Sequence, residues 1–299
     1  MGVGGDQVSA APAKSSDSPP ISWTGPRSAL PGSVGGVITV VGLRSYPVKG
    51  CAGVEHVAVD VGLMGLAHDR AFLVVGPGGV GRTQRRDPRL AVVRPEVVGE
   101  KLVLWAPGFG EVSAVVDTEG PRQDVTMFGD PYRGIDQGDE VAGWLTEVLQ
   151  APSRLVRVPP EHHRVIEGPT SGVSGFADSA AVHLLSLASY RQLCERIGGA
   201  AVPLDRFRPN IVVDGLPAHG EDDLRHCAIG PVRLGFTRLA VRCAVVQVDQ
   251  TAGTRAGPEP LRTLAGYRRA KTGVTFGTKL SVITGGPIAL GDELVPHQV

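Results

Sequence analysis

Short apolar runs, separated by glycine and proline, set the pattern of the chain from Val37 onward. Runs at 37–44, 53–59, 70–75, 91–98, 101–105 and 112–116 are strand length and rich in β-branched residues, which predicts a sheet closed into a barrel or sandwich. One segment breaks this rhythm. At 138–149, Val141, Trp144, Leu145, Val148 and Leu149 recur at helical spacing behind Asp139 and Glu140, so a helix with acidic residues in its first turn is expected there. Pro159-Pro160-Glu161-His162-His163 and the Gly/Ser/Pro-rich 168–175 then read as a connection.

Beyond it, Ser186 is placed to cap a helix at 187–197 with Leu187, Tyr190, Leu193, Cys194 and Ile197 on its apolar face, stopped by Gly198-Gly199. Strands are expected at 209–213, 224–229, 232–240, 243–249, 280–284 and 292–295, with a short helix near 259–265. The fold class is therefore mainly β with a few helices (α+β). The expected divisions are a tail at 1–36, a first domain at 37–160 and a second at 161–299.

Composition narrows the functional classes. Residues 1–36 hold few large apolar side chains among their Gly, Ala, Ser and Pro, which predicts disorder. Lys and Arg number 30, and so do Asp and Glu, so no whole-chain field favours nucleic acid or an anionic membrane, and neither is expected as a partner. No apolar run approaches the roughly 20 residues of a spanning helix, and the N-terminus lacks the pattern of a secretory signal; a cytoplasmic location is the default expectation. Cys51, Cys194, Cys227 and Cys243 lie far apart with no zinc-type spacing, which fits a reducing compartment.

Several local patterns offer chemistry. Gly76-Pro77-Gly78-Gly79-Val80-Gly81 has glycines at dinucleotide-loop spacing, but Arg82-Thr83-Gln84-Arg85-Arg86-Asp87-Pro88 follows instead of an apolar-periodic helix, so a hairpin turn is expected. The basic run from Arg82 to Arg89 reads either as an anion patch or as a solvated loop. His162 and His163 lack partners at metal-ligand spacing. Lys49 sits in a turn after an apolar strand. Arg208 and Asn210 stand two apart at a strand mouth, where alternation would place both on one face, although they equally read as strand-end caps. Cys243 follows Arg242, and a guanidinium favours the thiolate that attacks electrophiles or binds soft metals; by spacing alone it also reads as a small buried hydrophobe.

Four segments together resemble the MOSC superfamily, in the arrangement where a MOSC N-terminal β-barrel region precedes the MOSC β-barrel domain, as in the mitochondrial amidoxime-reducing component and its bacterial relatives. They are Tyr46-Pro47-Val48-Lys49-Gly50-Cys51-Ala52-Gly53-Val54, the stretch from Gly65 to Val75 containing His68-Asp69-Arg70, Phe207-Arg208-Pro209-Asn210-Ile211-Val212, and Arg242-Cys243-Ala244-Val245-Val246-Gln247-Val248-Asp249. Their order and spacing match from Val37 to Val295.

The resemblance implies a molybdenum cofactor (molybdopterin) with Cys243 as metal ligand and catalytic residue. Lys49, Arg70, Arg208 and Arg242 would hold its phosphate and pterin, with Ser179 and Asn210 adding neutral hydrogen bonds. It further implies an oxidoreductase that reduces small N-hydroxylated substrates with electrons from a separate ferredoxin, flavoprotein or cytochrome. No ferredoxin-type Cys-x4-Cys-x2-Cys run follows the last segment. The chain departs from several relatives at Gly50, where they carry Ser, and from the mitochondrial proteins at Lys279, where they carry an aromatic residue. A persulfide carrier or cofactor-handling protein using Cys243, and a module that only stores the cofactor, are the competing readings. A pyridoxal-phosphate role is an analogy within the family, without a lysine in a Schiff-base context. Asp249, six residues past Cys243 on the expected strand, would lie about 20 Å away.

Overall fold

The computed structural model describes residues 36–199 and 202–297, so the expected tail lies, apart from Gly36, outside the described residues. The fold is mainly β with three α-helices among those residues. Its largest sheet has nine strands. At its centre Val182–Ser186 pairs in parallel with Ile211–Asp214 and antiparallel with Gly273–Thr284, which in turn pairs with Val232–Val241. All five residues of Val182–Ser186 are buried, as expected for a strand covered on both faces.

Strands from the two predicted domains share sheets. Thr39–Ser45 pairs with Ile211–Asp214, and Ala58–Gly62 pairs with Gly286–Ala289. The predicted helix at 138–149 is found at Asp139–Leu149. Val141, Leu145 and Val148 join Phe72, Leu90, Leu102 and Leu104 in one core cluster. The second helix, Leu187–Arg196, begins where the Ser186 side chain accepts a hydrogen bond from Ala188 N at 3.2 Å. The glycine-rich segment is a turn, with a single 3-10 turn at Pro77–Gly79.

Two sequence expectations fail, both where the backbone leaves the extended region. The predicted strand at 243–249 is instead a 3-10 turn, Ala244–Gln247, followed by two strand residues, Val248–Asp249. Asp249 is not on a continuous strand with Cys243; its carboxylate accepts from Thr251 N and Ala252 N and lies 3.7 Å from Arg206. Arg208 has φ 54 and ends the 3-10 turn Leu204–Phe207, so alternation does not relate its side chain to that of Asn210.

Beneath the Leu187–Arg196 helix, fully buried Glu221 accepts a hydrogen bond from Ser189 Oγ at 2.7 Å, while its other carboxylate oxygen has no partner. Burial pushes this carboxyl up to about 7, against the opposing pull of the Ser189 hydrogen bond. A carboxyl with a raised folded-state pKa contributes stability that is present below pH ~4.5 and lost as pH rises through ~7. Glu221→Gln should flatten that slope, gaining about 3 kcal/mol over the native chain at pH 8 relative to pH 4. Urea unfolding at both pH values tests this; an unchanged slope would show that Glu221 is not the titrating group.

Candidate functional site

One end of the central sheet gathers turns from distant parts of the chain. The turn at Tyr46–Cys51 is fastened to the turn at Ala67–Ala71: Arg70 N donates to Tyr46 O at 2.8 Å, and Tyr46 N donates to Asp69 Oδ1 at 2.8 Å. Lys49 N donates to Phe72 O at 2.8 Å. These bonds fix the backbones of Lys49 and Arg70 against each other. Arg242 and Cys243 follow the last residue of the Val232–Val241 strand, and Lys279 projects from the Gly273–Thr284 strand.

A cavity with about 840 Å³ of empty space, open solvent at its mouth included, lies between these elements. Lys49, Arg70, Arg85, Arg208, Arg242 and Lys279 line it, against one carboxylate, Asp178. A chain of zero formal net charge has thus concentrated cations at one cleft. Such a cleft attracts an anion strongly, because low-dielectric walls weaken screening.

Arg70 and Arg208 are held by protein acceptors. Arg70 Nη1 donates to Asp69 Oδ2 at 2.5 Å and Asn210 Oδ1 at 3.0 Å, and its Nη2 donates to Arg208 O at 3.3 Å. Arg208 Nη1 donates to Cys51 O at 2.6 Å. The guanidinium carbons of Arg70 and Arg208 lie 4.4 and 4.2 Å from the Tyr46 ring centroid, so one aromatic ring supports both. Both residues also have left-handed backbones, φ 48 and φ 54. That conformation costs a non-glycine residue roughly 1–2 kcal/mol.

Lys49 donates to Phe176 O at 2.8 Å and pairs with Asp178. Burial lowers the Lys49 pKa, opposed by Asp178; the Asp178 carboxyl in turn is held below the usual carboxylate range, the attraction of Lys49 overcoming the upward push of burial. Burial brings Arg208 and Arg242 down to about 10. Lys279 falls to about 7 through burial and through the nearby charges of Arg70 and Arg242. His183, directly across the sheet from Lys279, is kept neutral by burial and by Lys279 and Arg242. Its Nδ1 donates to Arg208 O at 3.3 Å.

Cys243, Lys49, Arg70, Ser179, Arg208 and Arg242 all line the cavity; Asn210 does not. Its Oδ1 accepts from Arg70 Nη1 and from His183 N, while its Nδ2 donates to Arg44 O at 3.1 Å and Asp69 Oδ1 at 2.9 Å. Two donors and two lone pairs exhaust an amide, so the expected hydrogen bond from Asn210 to a cofactor has no atom left to make it. Asn210 is a positioning residue for Arg70. Asn210→Ala should cost about 2–4 kcal/mol in urea unfolding, because it strands buried partners including Asp69. A loss below about 0.5 kcal/mol, the range of neutral surface changes, would contradict this.

The sequence did not single out Thr83, Gln84, Phe128 or Asp178, which also line the cavity. The first two belong to the basic run after the glycine-rich turn, and Gln84 Nε2 is tied to Gly50 O at 2.6 Å and to Gln250 at 3.0 Å. Arg85 and Lys49 lie 4.8 and 5.0 Å from the Phe128 ring centroid. Gly50 has φ 83, and a Cβ there would meet Leu90 Cδ1 at 3.1 Å, so serine at this position would be both strained and crowded. Cys51 and Cys227 are buried, with thiols pushed up to about 12, chiefly by burial. Cys243 is half-buried and lines the cavity.

Residues 37–152 match the family profile of the MOSC N-terminal beta barrel domain, and residues 171–295 that of the MOSC domain. The chain is 32% identical over 283 residues to mitochondrial amidoxime reducing component 2 of Rattus norvegicus, covering 86% of this chain and 82% of that relative. It is 31% identical over 261 residues to mitochondrial amidoxime-reducing component 1 of Homo sapiens, covering 83% and 76%. To the molybdenum cofactor sulfurase of Danio rerio it is 30% identical over 270 residues, covering 83% of this chain but only 32% of the relative's length.

Proposed function

This chain belongs to the MOSC family, with a MOSC N-terminal β-barrel domain ahead of its MOSC domain, and on that footing we propose that it is a molybdenum-cofactor oxidoreductase that reduces N-hydroxylated compounds with electrons from a separate redox protein. The observation that carries this reading is a half-buried cysteine opening into a cavity of six cations and one carboxylate. Among the described residues no group of three or more His, Cys, Asp or Glu side chains is placed to hold a metal ion. A metal at Cys243 would therefore have to arrive with its other ligands already in place, as it does on an anionic sulfur-bearing cofactor.

The donor set fits such a group. Arg208 Nη2 and Arg242 Nε are buried without a partner, and an unmet buried donor is costly unless a ligand supplies the acceptor. Lys49, Arg70 and Arg208 form the phosphate end: the two guanidiniums share the Tyr46 ring, and both of their charges act on Lys49. Arg242 and Ser179 are assigned to the pterin, and Cys243 to the metal. When bound, the cofactor supplies two-electron chemistry at molybdenum, through which an N-hydroxyl oxygen is lost as water. The chain's own residues orient the cofactor, neutralise its charge and hold it at the thiol.

The test is metal and pterin analysis of protein made in a host that synthesises the cofactor, then reduction of benzamidoxime with an artificial electron donor. Near-stoichiometric molybdenum with turnover is expected. Molybdenum without turnover would leave a storage protein. No molybdenum, with a labile sulfur on Cys243, would make the chain a sulfur carrier instead.

A further inference from the structure

Four of the six cavity cations have acceptors within the protein: Lys49 on Phe176 O and Asp178, Arg70 on Asp69 and Asn210, Arg208 on Cys51 O, and Arg242 on Phe207 O at 2.9 Å. Of the other two, Arg85 is exposed and lies over the Phe128 ring, while Lys279 is half-buried. Only burial and the charges of its neighbours act on its ammonium, which has no hydrogen bond or ion pair among the described residues. Its backbone is locked on both sides, paired with His183 on one neighbouring strand and with Arg238 on the other. The long strand Gly273–Thr284 therefore holds the base of this side chain in place at the cavity wall.

An unpartnered ammonium in a cation-rich cleft is destabilising unless an anion enters beside it. The phosphate end described above is supplied by Lys49, Arg70 and Arg208. Arg85 and Lys49 gather at the Phe128 ring, whereas the charges that act most strongly on Lys279 are Arg70 and Arg242, the latter the residue before Cys243. A phosphate monoester, Asp178 and the Asp69 carboxylate paired with Arg70 together do not balance six cations, since the phosphate brings about two negative charges. Positive charge is left over in the cavity, and Lys279 is the half-buried lining cation without a protein acceptor.

Building on the proposed reductase function, we propose that the substrates of this site are acidic: N-hydroxylated compounds that also carry a carboxylate or similar anionic group, which Lys279 holds within the cavity that Cys243 also lines. Lys279 then determines specificity. Its ammonium stands to gain from an added anion, because burial and the neighbouring cations outweigh the pull of Asp178 and Asp69, and no protein acceptor bonds to it. A neutral N-hydroxylated compound leaves that charge unmet.

The test compares benzamidoxime with 4-carboxybenzamidoxime, using molybdenum-loaded native protein, Lys279→Met and Lys279→Arg. The native protein should favour the acid in kcat/KM by about tenfold or more, the worth of one charge-assisted hydrogen bond. Lys279→Met should erase that preference, Lys279→Arg should retain it, and molybdenum per chain should stay constant in both. A native protein without preference, a preference that survives Lys279→Met, or a fall in molybdenum in Lys279→Met would overturn the proposal, the last by assigning Lys279 to the cofactor. Binding is read separately from turnover, through the thermal shift of the loaded protein with 4-carboxybenzamidine against benzamidine. If neither amidoxime is reduced, the reductase reading fails. The anion site still stands if only the carboxylate ligand raises Tm and Lys279→Met abolishes the rise, and falls if it does not.

Discussion

Replacing Cys243 with alanine is expected to remove reductase turnover by more than about a hundredfold, beyond what losing a residue that merely supports a metal ligand costs. The fold should persist. Cys243 is half-buried at the start of a 3-10 turn, and its backbone there is extended, at φ −132, which alanine adopts freely. The change in stability should stay within about 1 kcal/mol. Paired measurements of turnover and urea midpoint decide the matter. Retained turnover would exclude Cys243 from the mechanism, and equal loss of folding and turnover would make its role structural. Cys51→Ala provides the contrast: that thiol is fully buried in a core cluster, so its replacement should act on stability.

What the sequence revealed and what it hid follow from range. The helix Asp139–Leu149 and the Ser186 cap are local features, written in side chains three or four positions apart, and both appear in the structure where the spacing predicts. The hairpin of Arg122–Met127 and Asp130–Asp136 was not expected. Its first strand buries only Val125 and Met127, so it carries little apolar alternation. Its two-residue turn puts Phe128 at φ 58, where Asn or Gly is the usual signal. The cost of that choice places a phenyl ring at the cavity beside Lys49 and Arg85. Strain of this kind collects at functional sites.

The site itself was legible as a set of cations and a cysteine, and not as a division of labour among them. Motif spacing grouped Arg208 with Asn210, and only the hydrogen bonds separate them. Arg208 presents an unpaired nitrogen at the cavity, while Asn210 spends every polar valence on Arg44, Asp69, Arg70 and His183. Asn210 therefore reaches the ligand only through Arg70. The Arg82 to Arg89 run was equally ambiguous, because a solvated loop and an anion site share one composition. The bond from Gln84 to Gly50 O, which draws the run to the Lys49 turn, is a contact across 34 residues that no local pattern predicts.

Arg208 separates ligand binding from backbone strain most sharply. Arg208→Ala should lower molybdenum per chain, since a phosphate without its guanidinium loses charge-assisted hydrogen bonds worth ~1.5–3 kcal/mol each, about ten- to hundredfold in affinity. The alanine must still adopt φ 54, whereas Arg208→Gly adopts it freely. Both variants give up the contact with the Tyr46 ring and the bond to Cys51 O, so the difference between them isolates the backbone. The glycine variant should be about 1 kcal/mol more stable to urea than the alanine variant, yet equally depleted of molybdenum. Recovery of molybdenum in the glycine variant would mean that the loss in alanine came from a distorted turn rather than a missing cation. Undiminished molybdenum in both would move the phosphate away from Arg208 and leave Lys49, Arg70 and Arg242 to hold it.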